Sequence, residues 1–549
     1  MKADFKPNDA QRRAIEFGLD TPLKVVAGAG TGKTAVLTQR FVRIVEKHRI
    51  APHRILALTF TKKAAAEMKH RISAELLEKE LIGRSEAPLL LWIGNFHSIC
   101  LRLLRQSALT AGLDPSFGTI DEAEARLILE EVVYGFLNKT LASAAGSDNF
   151  EDLMIERVED FVQNALRLIN RVKAQFVEPE NFKEVSRALI EEQYRTIESN
   201  LVQTIANETI HGGTRKKAGR LLEALPAART HEKLLLNALQ EICGAYMQRL
   251  KRQDLLDFGD LISRACRLAK ADPSIKGRFD YILVDEFQDT DGAQYRLLEA
   301  LSDDFKNVTV VCDKKQSIYE WREARLENIE EFPGETIFLD ENYRSYGEIL
   351  DSANFFIALS MPEEKPLRPA LEGGRGRSGQ ARVKLFRASA YKDEAEYVAR
   401  ETARLVQTRE YEPGEIAVLM RSVRASRVFE DAFKSHTIPY ATFGGRGFYD
   451  LSETKDLLSL LRLIANPFDD LSMVRILQSD MVGLNDATLH ALCKPLRGAD
   501  SGIYEVLKPS QEIRAYLRPR THERLLALLD AIQELANGRW SLTLGELIS

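Results

Sequence analysis

Leu23-Lys24-Val25-Val26-Ala27-Gly28-Ala29-Gly30-Thr31-Gly32-Lys33-Thr34 is the stretch that decides the fold. An apolar run of strand character ends in a glycine-rich loop, and a helical segment opens at Lys33. Glycines let the backbone curl so that successive N–H groups point at one place, and such a nest holds phosphate oxygens. In that arrangement Lys33 reaches the β- and γ-phosphates of ATP, and the Thr34 hydroxyl ligates Mg²⁺. Ala27, Gly28, Ala29, Gly30, Thr31 and Gly32 form the cradle; Ala27 stands where the strict pattern has glycine. Without context the same residues read as a glycine turn before a helix.

Working outward, Ile55–Phe60 reads as a second strand, followed by the helical TKKAAAEMKHRISAELLEK. Strand, loop and helix in alternation predict an α/β fold, a parallel sheet covered by helices. From Leu103 to Lys251 long charged segments with apolar residues at helical spacing predict a helical insertion, broken around HGGTRKKAG. Strand-like runs return at Tyr281–Val284, Val308–Val311 and Thr336–Leu339. After Asn342 come RVKLFRA, a helix, EIAVLMR, a helix and PYATF, with EGGRGRSGQ as a flexible basic loop; beyond Gly447 the pattern is again helical. Asp285 and Glu286 end the strand Tyr281–Val284. That placement suits Asp285 to hold Mg²⁺ through water and Glu286 to orient and deprotonate the attacking water. Alone, such a pair is as readily a solvated turn.

The 549 residues exceed one hydrophobic core and carry a net charge of −5, which excludes a uniformly basic surface but not a local basic groove. No apolar stretch approaches the roughly 20 residues that cross a bilayer, and the charged N-terminus lacks the apolar core of a signal peptide. Cys100, Cys243, Cys266, Cys312 and Cys493 lie far apart with no C-x-x-C pair, which predicts neither a disulfide framework nor a zinc site and fits the cytoplasm.

VVAGAGTGKT, ILALTFTKKAAAEM, GNFHSIC, LDFGDLI, ILVDEFQDT, VVCDKKQSIYEWREA and LDENYRS occur in this order. They resemble the successive motifs of superfamily 1 DNA helicases of the UvrD/Rep/PcrA type, with RecB/AddA-like features at Lys315 and Asp291. The resemblance runs through RLIANPFDDLSMVRIL. It implies two RecA-like motor domains with helical insertions: the first in residues 1–100 and 253–335, an insertion in 101–252, the second in 336–447, and a partial helical insertion in 448–549. It implies ATP between the motors, Gln11 on the adenine edge, Gln316 sensing the γ-phosphate, Tyr343 stacking on adenine and Arg344 as an arginine finger. Where many relatives carry an Arg after the Walker Thr, this chain has Ala35, which leaves two alternatives: adenine selectivity is looser, or Arg40 substitutes as partner for the base.

The same resemblance places single-stranded DNA on Thr59, Phe60, Thr61, Phe96, His97, Tyr319, Trp321 and Arg322. Hydroxyls and a basic group for phosphates, with aromatic faces for bases, suit a strand-tracking groove. Read alone, Phe60 and Phe96 are core aromatics at strand ends and His97 is a capping or structural histidine. In the third motif Glu320 and Glu323 stand where relatives have glycine. The TIHSAKGLE-like and YVALTRA-like motifs do not occur, so the second motor domain is expected to be incomplete, its remainder supplied by a missing C-terminal region or a partner polypeptide. The expected activity is ATP-dependent movement on single-stranded DNA, 3′→5′, with unwinding at single/double-strand junctions in repair or recombination. The alternative is a DNA-binding or scaffolding subunit with a vestigial ATP site.

Overall fold

In chain order the strands of the first unit are β1 (Leu23–Ala27), β2 (Ile55–Thr59), β3 (Trp92–Asn95), β4 (Gly118–Thr119), β5 (Leu255–Leu256), β6 (Tyr281–Val284), β7 (Val308–Cys312), β8 (Glu335–Leu339), β9 (Glu341–Asn342) and β10 (Arg368–Pro369). Six of them make one parallel sheet in the order β3-β2-β6-β7-β1-β8. A parallel sheet covered on both faces needs apolar side chains on both, and ILALT and YILV supply them. Leu56, Leu58, Ile282 and Val284 face one core with Trp92 and Phe96. Ile55, Ala57, Tyr281 and Leu283 face the other with Val25, Phe41 and Ile72.

The computed structural model describes residues 5–83, 91–143, 158–174, 182–206, 212–320, 323–380, 382–422, 425–443, 452–484, 488–489, 503–507, 517 and 519–538. The chain divides into two compact units, Met1–Val383 and Lys384–Ser549.

In the first unit the early helices are α1 (Asp9–Glu16), α2 (Lys33–His48), α3 (Lys62–Glu78) and α4 (Phe96–Gln106). Three start on side-chain caps: Asn8 and Gln11 form a capping box for α1, Thr61 caps α3 and Asn95 caps α4. A helical excursion follows β4: α5 (Glu122–Ser143), α6 (Val158–Ala174), α7 (Phe182–Ala206) and α8 (Gly212–Arg252). It returns at β5, which pairs in parallel with β4. Gly118 N donates to Asp254 O at 2.9 Å and Ile120 N to Leu256 O at 3.0 Å, closing the root of the excursion.

The excursion is also pinned to the sheet layer by a buried ion cluster. Lys173 of α6 places Nζ 2.6 Å from Asp257 Oδ2 and 2.9 Å from Asp260 Oδ2, at the start of α9 (Phe258–Ala271). Tyr246 of α8 donates its hydroxyl to the same Asp257 oxygen at 3.0 Å. Burial opposes ionisation of Asp257, yet the Lys173 ammonium, together with the Asp260 N–H and the Tyr246 hydroxyl, offsets it and holds the carboxyl below the usual range. Helix α10 (Gly292–Leu301) follows β6, and α11 (Gly347–Ser360) follows β9, itself paired in parallel with β10.

In the second unit, helices Tyr391–Gln407 and Ser426–Ser435 stand where the sequence predicts them. Ser452–Ala465, Asp470–Gln478 and Pro519–Gly538 contribute Leu463, Met473, Ile476, Leu525 and Ile532 to a separate core. The three segments expected as strands, 382–388, 415–421 and 439–443, carry no strand pairing. Leu385, Leu419 and Phe443 are exposed instead. A parallel strand persists only with hydrogen-bonded neighbours, and no described residue supplies one to these segments. No helix among the described residues is long and apolar enough to cross a membrane.

Candidate functional site

All six sheet strands run the same way, so the loops leaving their carboxyl ends converge on one edge, where open α/β sheets bind ligands. Each loop delivers a motif. The glycine loop follows β1, Phe60 and Thr61 follow β2, and Phe96 and His97 follow β3. Asp285 and Glu286 follow β6, Asp313 to Gln316 follow β7, and Asn342 to Arg344 follow β8.

The glycine loop has the backbone its residues predict. Gly30 and Gly32 sit at φ +71° and +88°, a left-handed region that side chains disfavour. Gly32 is the N-cap of α2 and brings no capping side chain, so the first-turn N–H groups are left for an anion. Thr31 braces the turn by donating its hydroxyl to Gly28 O at 2.8 Å. Gln11 lies against the loop, with Nε2 donating to Thr31 O at 2.9 Å and Oε1 accepting from Asn8 N at 2.9 Å. Both ends of its amide are therefore engaged.

Charged and amide groups meet around Lys33. Its Nζ lies 2.6 Å from Glu286 Oε2 and donates to Gln316 Oε1 at 3.4 Å. Gln288 donates to the same Glu286 oxygen at 2.7 Å and accepts from Asp313 N at 3.0 Å, tying the ends of β6 and β7 together. Gln316 Nε2 donates to Asp313 Oδ2 at 2.6 Å. Glu286 itself holds φ +49°, a strained conformation for a non-glycine residue that costs about 1 kcal/mol and concentrates at functional sites. Burial, and then the neighbouring Glu286 charge, push the Asp285 carboxyl up to about 6. A divalent cation would supply the compensating charge.

The donor set fits Mg²⁺. Among the described residues no group of three or more His, Cys, Asp or Glu side chains is arranged to cage a metal. Thr34 and Asp285 offer two protein oxygens, and Mg²⁺ keeps several waters and takes phosphate oxygens for the rest.

Residues after β8 reach onto the loop. Tyr343 N donates to Gly30 O at 2.9 Å, and its hydroxyl accepts from Asn8 Nδ2 at 2.9 Å while donating to Glu341 Oε2 at 3.0 Å. Tyr343 and Gln11 thus flank the start of α1. Arg344 is exposed, and a side chain at Gly30 would come within 2.7 Å of its Cβ. Leu367 closes over Gly28, where any Cβ would collide with it. Lys315 is paired with Glu364 at 3.5 Å and donates to Lys365 O at 3.1 Å.

The expected DNA residues divide. Phe60 and Tyr319 come together with ring centroids 4.8 Å apart, tilted by 30°. Thr61 is exposed but its hydroxyl accepts from Ala64 N at 3.1 Å as a helix cap. Thr59 and Phe96 are corrections. Thr59 is buried and spends its hydroxyl on Thr61 O at 3.0 Å, while Phe96, 3% exposed, points into the core under β3. Strand-end side chains alternate between core and edge, and these two fall on the core side. His97 packs its ring 4.9 Å from that of Phe258. Burial, aided by Lys62, lowers it to about 4, so the imidazole is neutral at pH 7. Phe258, 41% exposed, opens α9, and only the fold shows that this apolar residue faces solvent beside His97. Trp321 and Arg322 lie outside the described residues.

Arg40 is a further correction. It is 1% exposed and donates to Ala14 O, Phe17 O, Gly18 O and Thr309 Oγ1, with Tyr281 also in reach. Such a fully committed guanidinium locks α1 to the sheet and has no donor left for a base.

Comparison with known proteins agrees with this arrangement. The family profile described as UvrD/REP helicase N-terminal domain matches residues 7–336. That described as UvrD-like helicase C-terminal domain matches residues 337–517. The chain is similar to an ATP-dependent DNA helicase PcrA of Staphylococcus epidermidis, 31% identical over 553 residues, covering 98% of this chain and 65% of the relative. A PcrA of Staphylococcus aureus strain Mu50 is 30% identical over 551 residues, covering 98% and 64%. The chain therefore spans just under two thirds of the length of these relatives.

Proposed function

The chain belongs to the UvrD/REP helicase family, and on that premise we propose that it forms the ATP-driven part of a DNA motor. It would move 3′→5′ on single-stranded DNA and open duplex at single/double-strand junctions, in repair or recombination. One observation carries this reading: Lys33, Glu286 and Gln316 converge on a single point beside the glycine loop.

Each group has a task. The loop N–H groups and Lys33 would hold the β- and γ-phosphates, and Thr34 and Asp285 would hold Mg²⁺, which would supply charge neutralisation at the phosphates. Glu286 takes the proton of the attacking water. Gln316 touches both Lys33 and the segment that continues to Tyr319, so the loss of the γ-phosphate reaches the aromatic pair through three residues of chain. Phe60 and Tyr319 offer ring faces to a base, worth about 1–3 kcal/mol per base. Duplex stacking averages about 1.4 kcal/mol per step, so a base exchanges its neighbour for an aromatic ring at little net cost. Tyr343, Gln11 and Arg344 complete the nucleotide site.

A scaffolding subunit with a relic site would have no use for an intact Lys33–Glu286–Gln316 cluster. The test is ATP hydrolysis with and without single-stranded DNA, on the 549-residue chain and on its Lys33→Ala variant. DNA-stimulated, Lys33-dependent turnover is expected. A lysine variant that binds and hydrolyses ATP like its parent would refute the assignment.

A further inference from the structure

We infer that Asn342 is a positioning residue that fixes Arg344 over the phosphate loop; the inference deepens the ATP-site reading above and rests on it. Asn342 is 1% exposed, and both ends of its side-chain amide and its backbone carbonyl are engaged. Its Nδ2 donates to Ala29 O at 2.5 Å, a contact between residues 313 positions apart. Its Oδ1 accepts from Arg344 N at 2.9 Å and Ser345 N at 2.7 Å, which bends the chain into an Asx turn. Its backbone carbonyl accepts from Ala370 N at 3.0 Å, through the β9–β10 pair.

The two halves of one amide therefore do two jobs. The oxygen shapes the turn that presents Arg344, and the nitrogen anchors that turn to the loop that cradles phosphate. Gly30 fits the same geometry: a Cβ there would meet Asn342 Nδ2 at 2.6 Å and Arg344 Cβ at 2.7 Å, so only glycine lets the turn sit this close. The second tie, Tyr343 N to Gly30 O, is made by backbone and is indifferent to side chain. Asn342 is thus the side chain that sets how far Arg344 stands from a γ-phosphate held by Lys33.

Asn342→Asp separates the two jobs. The carboxylate keeps the acceptor for the turn, loses the donor to Ala29, and sets an anion against a carbonyl. Asn342→Ser keeps a short acceptor for the turn and is too short to reach Ala29. The readout is the ratio of ATPγS to ADP affinity, measured by calorimetry with Mg²⁺ on variants whose nucleotide-free melt matches the parent. A charge-assisted hydrogen bond to the γ-phosphate is worth about ten- to hundredfold in affinity. Both variants are expected to lower the ratio by that factor with ADP affinity kept, Arg344→Ala to lower it equally, and the double variant to lower it no further. A parental ratio in either variant, or losses that multiply with Arg344→Ala, overturns the inference while leaving the ATP site standing. A parent chain that binds neither nucleotide overturns the ATP-site reading and this inference together.

Discussion

Glu286→Gln should bind ATP more tightly than the parent while hydrolysing it far more slowly. Lys33 is held by Glu286 at 2.6 Å, and the two side chains are 11% and 33% exposed. A triphosphate must take Lys33 away from that carboxylate. A charge-assisted hydrogen bond contributes about 1.5–3 kcal/mol net, and partial exposure of Glu286 argues for the lower half of that range. The neutral amide also removes a negative charge from beside the phosphates. Affinity should therefore rise about tenfold, measured by calorimetry with ATP and Mg²⁺. General-base catalysis contributes about 10²–10⁴ in rate, so single-turnover hydrolysis should fall by that factor. The opposite signs make the test sharp, because general damage to the site would weaken both. Unchanged or weaker ATP binding would show that the ion pair does not restrain Lys33, and near-parental hydrolysis would move the base elsewhere.

Tyr319→Ala should weaken binding to a mixed-sequence single-stranded oligonucleotide by about 1–3 kcal/mol, read by fluorescence anisotropy; parental affinity would make the Phe60–Tyr319 pair a packing contact. Lys173→Met leaves the buried Asp257 and the partly buried Asp260 without their cation and should cost about 3–5 kcal/mol in urea unfolding of the first unit, with Asp257→Asn in the same chain recovering part of it. A loss below 1 kcal/mol, roughly the value of a surface pair, would contradict the burial of that cluster. His97 should govern an acid-sensitive part of stability. Its folded value of about 4 lies below the ordinary 6.5, so the unfolded chain takes up the proton first as pH falls. Stability is intact above 6.5 and is lost between 6.5 and 4, by about 3 kcal/mol in total. Asp285 and Asp289, both pushed up to about 6, contribute with the opposite sign in that window, so the measurement is the difference between the parent and His97→Asn. A difference that does not vary between pH 7 and 4 would refute it.

What the sequence made legible was local. The loop from Gly28 to Lys33 announces its own backbone, because glycine and a following helix start are read within a dozen residues, and the acidic pair after YILV is equally self-contained. The sheet as a class followed from strand and helix alternation. Sidedness did not follow: Thr59 and Phe96 stand next to Phe60 and His97, and only the tertiary packing assigns one of each pair to the core. Distant partners did not follow either. Lys173 meets Asp257 across 84 positions, and Asn342 meets Ala29 across 313, with no periodicity to betray them. Arg40 looked like a spare cation near the nucleotide until its acceptors on the chain before β1 became visible. The expected strands at 382–388, 415–421 and 439–443 show the reverse failure, apolar alternation without a described neighbour to pair with.

The zipped root of the helical excursion has a consequence for how this chain can be built and altered. Because β4 and β5 join where the chain leaves and re-enters, the sheet experiences residues 120 to 254 as a closed loop. Closing a flexible loop becomes only about 0.6 kcal/mol more costly for each doubling of its length. Sequence can therefore be added or removed at the far end of the excursion with little effect on the folding of the sheet, provided Gly118 to Ile120 and Asp254 to Leu256 still meet and Lys173 still reaches Asp257. The root is then the place where an engineer could graft a different cap onto the same sheet.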